Sequence, residues 1–168
     1  MRTYRRRQRL LREKIKSLPV LKNILLKLRK KGRKVIFTNG CFDILHYGHA
    51  KYLQDAKSKG DILVVGVNSD VSIKKIKGKN RPIIGENNRL SLIAALESVD
   101  FVVLFKEETP LMLIRELSPD ILVKGADWNK ANIVGAATVR KQGGKVLTVK
   151  LIKGLSTTNL IKRIVENN

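Results

Sequence analysis

The sequence predicts an α/β fold: a Rossmann-like, doubly wound parallel sheet of five strands with helices on both faces. Short apolar runs rich in valine and isoleucine alternate with stretches of helical periodicity from about residue 34 to the C-terminal end. Residues 62–67 form a near-continuous apolar run, which is typical of a parallel strand covered on both faces. This strand–helix alternation indicates a parallel sheet with right-handed crossovers.

The composition is that of a globular chain with a strongly basic N-terminal segment. The 168 residues are predicted to form one main domain over residues 32–168, preceded by a basic helical extension over residues 1–31. Residues 1–34 contain fifteen lysines and arginines and one acid, within a net charge of +21. This segment is interpreted either as a solvated helix pair or as a weak binding surface for RNA, DNA or an anionic membrane surface.

The sequence also indicates where in the cell the protein is located. No apolar run reaches the length of a membrane span, and no apolar segment follows the N-terminal basic residues as in a secretory signal. Cys41 is the single cysteine, which excludes an internal disulfide. A reducing, cytoplasmic environment is therefore expected.

The N-terminal extension is predicted to form two helices. Residues 5–16 form a basic helix, and residues 19–31 form an amphipathic helix whose apolar residues have i, i+3, i+4, i+7 spacing. Pro19 marks the start of the second helix and Gly32 its end. The second helix is expected to pack on the core.

The remaining elements follow in order along the chain. Strands are predicted at residues 34–38, 61–67, 99–105 and 145–149, and residues 119–123 lead into the fourth strand of the sheet, which ends at residues 124–128. Helices are predicted at residues 47–59, 86–97 and 131–142, with a short helix capped by residues 68–70, another that begins at Thr109 as its cap, and a last one opened by residues 156–158. Residues 74–85 are predicted to form a basic loop.

His46 and His49 are the only histidines of the chain, and they flank Gly48 where the first strand of the sheet turns into a helix. Imidazoles donate to phosphate oxygens, a helix N-terminus favours an anion, and glycines such as Gly40 and Gly48 permit close approach of a ligand. The pattern indicates a phosphate site at the carboxyl end of a strand. The alternative is a pair of surface histidines at an ordinary helix start.

Three further segments are candidate ligand sites, each with a structural alternative. Gly125, Asp127 and Trp128 follow the fourth strand and suit a ribose hydroxyl or a base, or else a helix cap and a half-buried aromatic ring. The hydroxyl residues at 156–158 suit a phosphate or an ordinary N-cap. The basic segment at residues 74–85 suits a phosphate clamp or an exposed charged loop.

Taken together, these segments resemble the nucleotidyltransferases that carry the HxGH motif. The similar segments are residues 38–49, 67–70, 77–82, 124–127 and 154–159. The likeness runs from about residue 33 to the C-terminal end, and within the family it is strongest to the heptose 1-phosphate adenylyltransferase domains of bacterial ADP-heptose synthases. It implies a stand-alone form of a domain that many bacteria fuse to a sugar kinase.

Some positions depart from the pattern of those domains. Asn88 stands where a glutamate often precedes the arginine at position 89. Trp128 stands where tyrosine is common, and a tryptophan at this position resembles the glycerol-3-phosphate cytidylyltransferases. Residues 151–153 lack the Arg-Thr-Glu run of those cytidylyltransferases. A cytidylyltransferase acting on glycerol 3-phosphate or a related small phosphate remains the alternative. From another class, the alternative is a nucleic-acid-binding protein that uses the basic N-terminus, with steeply salt-dependent affinity.

The resemblance implies transfer of AMP from ATP to D-glycero-β-D-manno-heptose 1-phosphate, giving ADP-heptose and pyrophosphate for lipopolysaccharide or surface-glycan precursors. The acceptor phosphate is already a nucleophile, so catalysis rests on positioning and charge stabilisation. Mg²⁺ is expected to enter with ATP rather than in a cage of protein ligands. A homodimer is an open alternative to a monomer.

The same resemblance assigns roles to individual residues. Catalytic roles fall to His46, His49 and Lys77. Nucleotide binding falls to Thr38, Asn39, Gly40, Cys41, Phe42, Gly48, Gly125, Asp127, Trp128, Ser156, Thr157 and Thr158. Lys75, Arg81 and Arg89 are assigned to substrate phosphate. No residue is assigned as a direct metal ligand. Asp43 either orients groups that contact the metal ion and the phosphates, without contacting them itself, or is purely structural.

Overall fold

A parallel sheet of five strands forms the centre of the described part of the molecule. The structure is a computed structural model that describes residues 11–127 and 132–167. The strands are β1 (Val35–Gly40), β2 (Ile62–Asn68), β3 (Phe101–Phe105), β4 (Ile121–Gly125) and β5 (Lys145–Val149). They lie in the order β3-β2-β1-β4-β5 with every pairing parallel, which confirms the predicted doubly wound fold.

Helices connect and flank the strands. They are α1 (Leu11–Lys14), α2 (Leu18–Arg29), α3 (Tyr47–Lys57), α4 (Asp70–Lys77), α5 (Glu86–Ala95), α6 (Leu111–Leu117), α7 (Ala136–Lys141) and α8 (Thr157–Glu166). Within residues 11–127 and 132–167, none of these helices has the length and apolar character needed to cross a bilayer.

The sheet separates two apolar cores. Val35 and Phe37 of β1 face a cluster that includes α2, α6 and α7, whereas Ile36 between them faces a cluster that includes α3 and α5. All three side chains are fully buried. This alternation is the two-residue period of a strand, and it explains why a near-continuous apolar run predicts a strand with helices on both faces.

The N-terminal segment extends the edge of the sheet. Ile15 forms an isolated parallel bridge with Val102 of β3, and the N–H of Lys16 donates to the Val102 carbonyl at 2.9 Å. The helix predicted at residues 5–16 is therefore wrong at its end, because Ile15 is extended and α1 stops at Lys14. Residues 5–10 of that prediction lie outside the described ranges.

Several other element bounds also differ from prediction. The helix predicted at residues 131–142 begins only at Ala136, because Gly135 has a φ of +84° that a right-handed helix does not adopt. Thr109 is not the cap of α6, which follows Pro110 without a side-chain cap. The first residues of the predicted loop at 74–85 form the last turn of α4. Ser69 caps α4 as predicted, with its Oγ accepting from the Ser72 N–H at 3.1 Å.

Candidate active site

The carboxyl ends of β1 and β4 open into a cleft of about 520 Å³. The chain continues from β1 to β2 and β3 on one side of the sheet, whereas β4 and β5 extend it on the other. The cleft therefore lies where the strand order reverses, which is the usual ligand position in open α/β sheets. Its walls come from the β1–α3 turn, the end of α4 and the start of α8.

Two stacked histidine rings form one wall. The rings of His46 and His49 lie with their centroids 3.8 Å apart and their planes 21° from parallel, and Phe42 packs edge-on against His49 at 5.3 Å. His46 is the N-cap of α3 but its side chain makes no capping bond. A Cβ at Gly48 would lie 3.0 Å from the His46 ring, so a larger residue there would displace this ring.

One ring nitrogen of each histidine lacks a hydrogen-bond partner among the described residues. These two atoms are Nδ1 of His46 and Nδ1 of His49, and both are buried. Burial lowers the pKa of His46, and burial together with the charges of His46 and Lys77 lowers the pKa of His49 to about 4. The lowered pKa values favour the neutral form of both rings at neutral pH. Unpaired buried polar atoms beside a helix N-terminus suit an anionic ligand that satisfies them.

The start of α8 forms the facing wall. Ser156 is the N-cap of this helix, and its Oγ accepts from the Asn159 N–H at 3.1 Å. Asn159 in turn donates through its side chain to the Gly154 carbonyl at 3.1 Å. Ser156, Thr157 and Thr158 all line the cleft, so hydroxyl groups and a helix N-terminus face the same space as the histidines. That combination suits phosphate oxygens.

Arg89 ties together the loops behind the histidines. Its side chain is fully buried, and its guanidinium donates to the Ile84 carbonyl at 2.9 Å, the Cys41 carbonyl at 2.6 Å and Oδ1 of Asp70 at 2.7 Å. These three hydrogen bonds hold the guanidinium against two backbone carbonyls and a carboxylate, so that it does not point into the cleft. The resemblance assigned Arg89 to substrate phosphate, and no pattern in the sequence indicated that its charge would be buried.

Lys124 ends β4 inside the cleft. It is 9% exposed, and its Nζ donates to Oδ1 of Asn39 at 2.5 Å. Burial lowers the pKa of Lys124 to about 8, although the nearby Asp127 and Cys41 act in the opposite direction. The lysine therefore remains mostly protonated at neutral pH.

The thiol and a glycine complete this part of the site. Burial raises the pKa of Cys41, so its thiol stays protonated and is not a ready nucleophile. A Cβ at Gly125 would lie 2.4 Å from Oδ1 of Asp127, so glycine allows this carboxylate to approach the strand end. The cleft thus brings one carboxylate close to the end of β4.

Most of the predicted site residues meet in this cleft. Those that line it are Asn39, Gly40, Cys41, Phe42, Asp43, His46, Gly48, His49, Lys77, Gly125, Asp127, Ser156, Thr157 and Thr158. Thr38 does not line it, because its hydroxyl is buried and hydrogen-bonded to Tyr52 at 2.7 Å. Lys75, Arg81 and Arg89 are also absent from the lining, and Trp128 lies outside the described residues.

The cleft also contains residues to which the sequence analysis assigned no binding role. Tyr52, Asn68, Thr109 and Lys124 line it. Tyr52 follows helical core spacing, and Asn68, although it lies in the similar segment at residues 67–70, was interpreted as a helix cap, so neither carried a distinct signal of a binding role. Lys124 did carry one, because a lysine at the end of an otherwise apolar strand is unusual.

The sequence profile of the family described as Cytidylyltransferase-like matches residues 37–163. Curated relatives include "Bifunctional protein HldE" of Citrifermentans bemidjiense, 49% identical over 92% of this chain and 32% of the relative. Another is "Bifunctional protein HldE" of Campylobacter fetus subsp. fetus, 54% identical over 83% of this chain and 30% of the relative. The chain thus spans about a third of the length of these relatives.

Two solved structures are also similar to this chain. The lipopolysaccharide core biosynthesis protein from Thermoplasma volcanium GSS1 is 38% identical with a TM-score of 0.60, over 73% of this chain and 98% of that one. Pantoate-beta-alanine ligase from Francisella tularensis, complexed with beta-gamma ATP and beta-alanine, shares the fold with a TM-score of 0.61, over 92% of this chain and 79% of that one, but is only 16% identical. The chain belongs to the cytidylyltransferase-like family of nucleotidyltransferases.

Proposed function

We propose that this chain transfers AMP from ATP to D-glycero-β-D-manno-heptose 1-phosphate, giving ADP-heptose and pyrophosphate. The observation that carries the proposal is the pairing, in one cleft, of stacked histidines at the start of α3 with the Ser156-capped start of α8. Two helix N-termini at one cleft suit a chain of phosphates. Identity of about 50% to HldE relatives over nine-tenths of the chain supports the heptose acceptor and a role in surface-glycan precursor synthesis.

In this mechanism the acceptor phosphate attacks the α-phosphorus of ATP in line, and pyrophosphate leaves. His46 and His49 donate to the α-phosphate and the bridging oxygen as charge develops there, and Lys77 supplies a positive charge from the end of α4. The hydroxyls and N–H groups at residues 156–158 receive the pyrophosphate. The protein therefore contributes position and charge stabilisation, with no covalent intermediate.

The nucleoside is proposed to lie over the ends of β1 and β4. Residues 39–42 and Gly48 line that part of the cleft, and Gly125 and Asp127 stand where a ribose hydroxyl would be received. Trp128 is proposed to contact the base. We propose that Thr38 supports this floor from beneath through its hydrogen bond to Tyr52.

Three basic residues that do not line the cleft are proposed to act on the substrate phosphate indirectly. Arg81 and Arg89 hold the segment that carries Lys77, through Asp43 and Asp70 respectively. Lys75 is exposed and lies 4.0 Å from Glu108, which lines the cleft, so it adds to the positive field at the cleft rim.

Mg²⁺ is proposed to enter with the triphosphate. Within the part of the chain that the structure describes, no three His, Cys, Asp or Glu side chains are grouped as in a protein metal site, and the donors of the cleft suit phosphate oxygens. The carboxylates of Asp127 and Glu108 line the cleft and are available to the water ligands of the ion. When bound, Mg²⁺ neutralises phosphate charge.

The location and the partners of the protein are proposed as well. A cytoplasmic location is proposed because ATP is the substrate and Cys41 is the single cysteine. A homodimer is proposed as the assembly, to be checked by light scattering. The basic residues at the N-terminus are proposed to attract an anionic partner weakly, with affinity that falls as salt rises.

The experiment is pyrophosphate release by the purified chain with ATP or CTP against a panel of acceptors. The panel contains D-glycero-β-D-manno-heptose 1-phosphate, other sugar 1-phosphates and glycerol 3-phosphate. We expect ATP with the heptose 1-phosphate to turn over fastest, and the doubly substituted His46→Ala/His49→Ala protein to show only contaminant activity. Faster turnover of CTP with glycerol 3-phosphate would reject the proposed substrates and favour the cytidylyltransferase alternative.

A further inference from the structure

The first and fourth strands of the sheet separate where the cleft opens. β1 pairs with β2 along all six of its residues, and β4 pairs with β5 along all five of its own. Within the described strands, however, β1 and β4 pair with each other at only two positions, the second of which joins Phe37 to Leu122. The same register, continued by one residue, would place Thr38 opposite Val123. The cleft therefore opens where the backbone pairing of two neighbouring strands ends.

The hydroxyl of Tyr52 lies between these two strand ends. Its oxygen is 2.7 Å from Oγ1 of Thr38 and donates to the carbonyl of Val123 at 3.2 Å. Because a phenol has a single proton to donate, the Thr38 hydroxyl is the donor in its bond to Tyr52. Burial raises the pKa of Tyr52 to about 12, so the phenol keeps its proton. Two hydrogen bonds in series thus connect β1 to β4 at the first position beyond their backbone pairing.

Tyr52 also connects the histidine-bearing helix to both strands. It lies on α3, three residues after His49, and it is 8% exposed and packs in the core cluster that includes α3 and α5. A phenylalanine would fill this volume equally well, so the hydroxyl serves the two hydrogen bonds and not the packing. The chain continues from the two bridged positions into residues 39–42 and 125–127, where the nucleoside is proposed to bind. The hydroxyl is therefore placed to fix the distance between the two walls of that part of the cleft.

We propose that the Tyr52 hydroxyl holds the ends of β1 and β4 at the separation that a bound nucleotide requires. Tyr52 is then a positioning residue, which acts through Thr38 and Val123 and takes no part in the chemistry. The binding of ATP in this cleft rests on the proposed function. Without the hydroxyl, a smaller fraction of the molecules has the binding-competent separation, and the apparent affinity for the nucleotide falls by the same factor.

The test is Tyr52→Phe, which removes one oxygen atom and keeps the ring. We expect the Kd for ATP with Mg²⁺, measured by calorimetry, to rise about 10-fold, because hydrogen bonds that favour one separation are lost. KM for the acceptor should change little. The melting temperature should fall by a few degrees, since the buried Val123 carbonyl loses this donor. Thr38→Val should also weaken ATP binding, and the double variant should be no worse than Tyr52→Phe, because both changes break the same series of hydrogen bonds.

Two control variants separate the positioning role from a loss of stability. Tyr47→Phe makes the same change at a tyrosine on the same helix whose side chain is 65% exposed, and it should match the wild type. Ile93→Val removes one carbon atom from the core cluster that contains Tyr52, at a residue that is not among those lining the cleft. This variant should lower the melting temperature to a similar extent and leave the Kd for ATP unchanged.

Other results would overturn the proposal. An unchanged Kd for ATP in Tyr52→Phe would leave the hydroxyl a purely structural role, as would an equal rise of this Kd in Ile93→Val. Failure of the proposed function gives a different pattern. If the wild type binds CTP instead of ATP, the proposed substrate is wrong, and the same comparison made with CTP decides about Tyr52. Binding of neither nucleotide by the wild type would reject both proposals.

Discussion

The carboxylate of Asp43 lies 2.7 Å from Nε and 2.6 Å from Nη2 of Arg81, with both contacts made by its Oδ2. Its Oδ1 accepts the N–H groups of Ile83 and Ile84, each at 2.8 Å. Asp43 is 2% exposed. One buried carboxylate thus closes the segment at residues 78–85 onto the β1–α3 turn, and so fixes the base of the segment that follows Lys77.

Asp43→Ala should destabilise the protein strongly. The substitution leaves the Arg81 guanidinium and two amides without their acceptor, and breaking a buried ion pair from one side costs about 3–5 kcal/mol. Denaturant unfolding should show this loss in the free energy of unfolding. Burial alone would raise the pKa of Asp43, but the hydrogen bonds from Ile84 and Ile83 and the charge of Arg81 hold it below its usual value, so this contribution is lost only as pH falls into the acid range.

Asp55→Ala is the matched control for that experiment. Asp55 pairs with Lys51 one helical turn away on α3, where both side chains are about one-third exposed or more. Such surface pairs contribute about 0–1 kcal/mol. A loss for Asp43→Ala no larger than that of Asp55→Ala would show that the Asp43–Arg81 pair does not hold the loop.

The fold was more predictable from the sequence than the hydrogen bonds that hold the site together. Strand β5 has the predicted bounds, Lys145–Val149, because apolar alternation and a flanking Gly-Gly turn are local signals. The burial of Arg89 was not predictable, since its three partners come from the segments around residues 41, 70 and 84, and only the tertiary fold brings these together. The cleft itself was predictable, because parallel strands place their carboxyl ends at one edge.

His49→Ala should lower kcat by about two orders of magnitude, with a smaller effect on ATP affinity. The ring lies where negative charge develops in the transition state, and the loss of one such donor costs a factor of about 10² to 10³. The ring contacts mainly His46 and Phe42, so the fold should persist. Steady-state kinetics, ATP binding and the melting temperature should be measured on one preparation.

The control for His49→Ala is Tyr47→Ala, in the same helical turn but with a side chain 65% exposed. This variant should retain wild-type turnover. If His49→Ala instead turns over normally per folded molecule, the ring has no catalytic role and serves only in packing.

The two histidines should titrate abnormally, and a phosphate ligand should reverse the effect. With ring-labelled histidine, the NMR spectrum contains signals from only two residues. Without ligand, His49 should titrate near pH 4 and His46 below its usual range, since burial disfavours the charged forms. Saturating pyrophosphate should raise both pKa values, because an adjacent anion favours the protonated ring.

Protonation of His49 also makes the stability of the protein depend on pH. Unfolded histidine binds a proton near pH 6.5, whereas native His49 stays neutral until about pH 4. The free energy of unfolding should therefore decline as pH falls through this interval, and the decline should be smaller in His49→Gln. Histidine signals that both titrate at the ordinary pKa without ligand would contradict the buried, neutral pair.

Removal of residues 1–10 should leave turnover and melting temperature close to those of the full chain. The cleft-lining residues that the structure describes all lie downstream, and residues 11–16 hold this segment on the fold: Lys14 donates through Nζ to the Leu96 carbonyl after α5 at 2.9 Å, and Ile15 bridges to β3. The removed segment contains five arginines, so its loss should mainly weaken binding to a polyanion such as heparin, with a shallower salt dependence.

Removal of residues 1–16 should instead lower the melting temperature. This longer deletion takes away the Ile15–Val102 bridge and the hydrogen bond from Lys16, and so exposes the β3 edge of the sheet. Turnover per folded molecule should still be near that of the full chain, because β3 lies two strands away from β1. A large loss of turnover at unchanged melting temperature after the shorter deletion would show that the basic segment takes part in the reaction. Equal melting temperatures for both deletions would show that the Ile15 bridge adds nothing to stability.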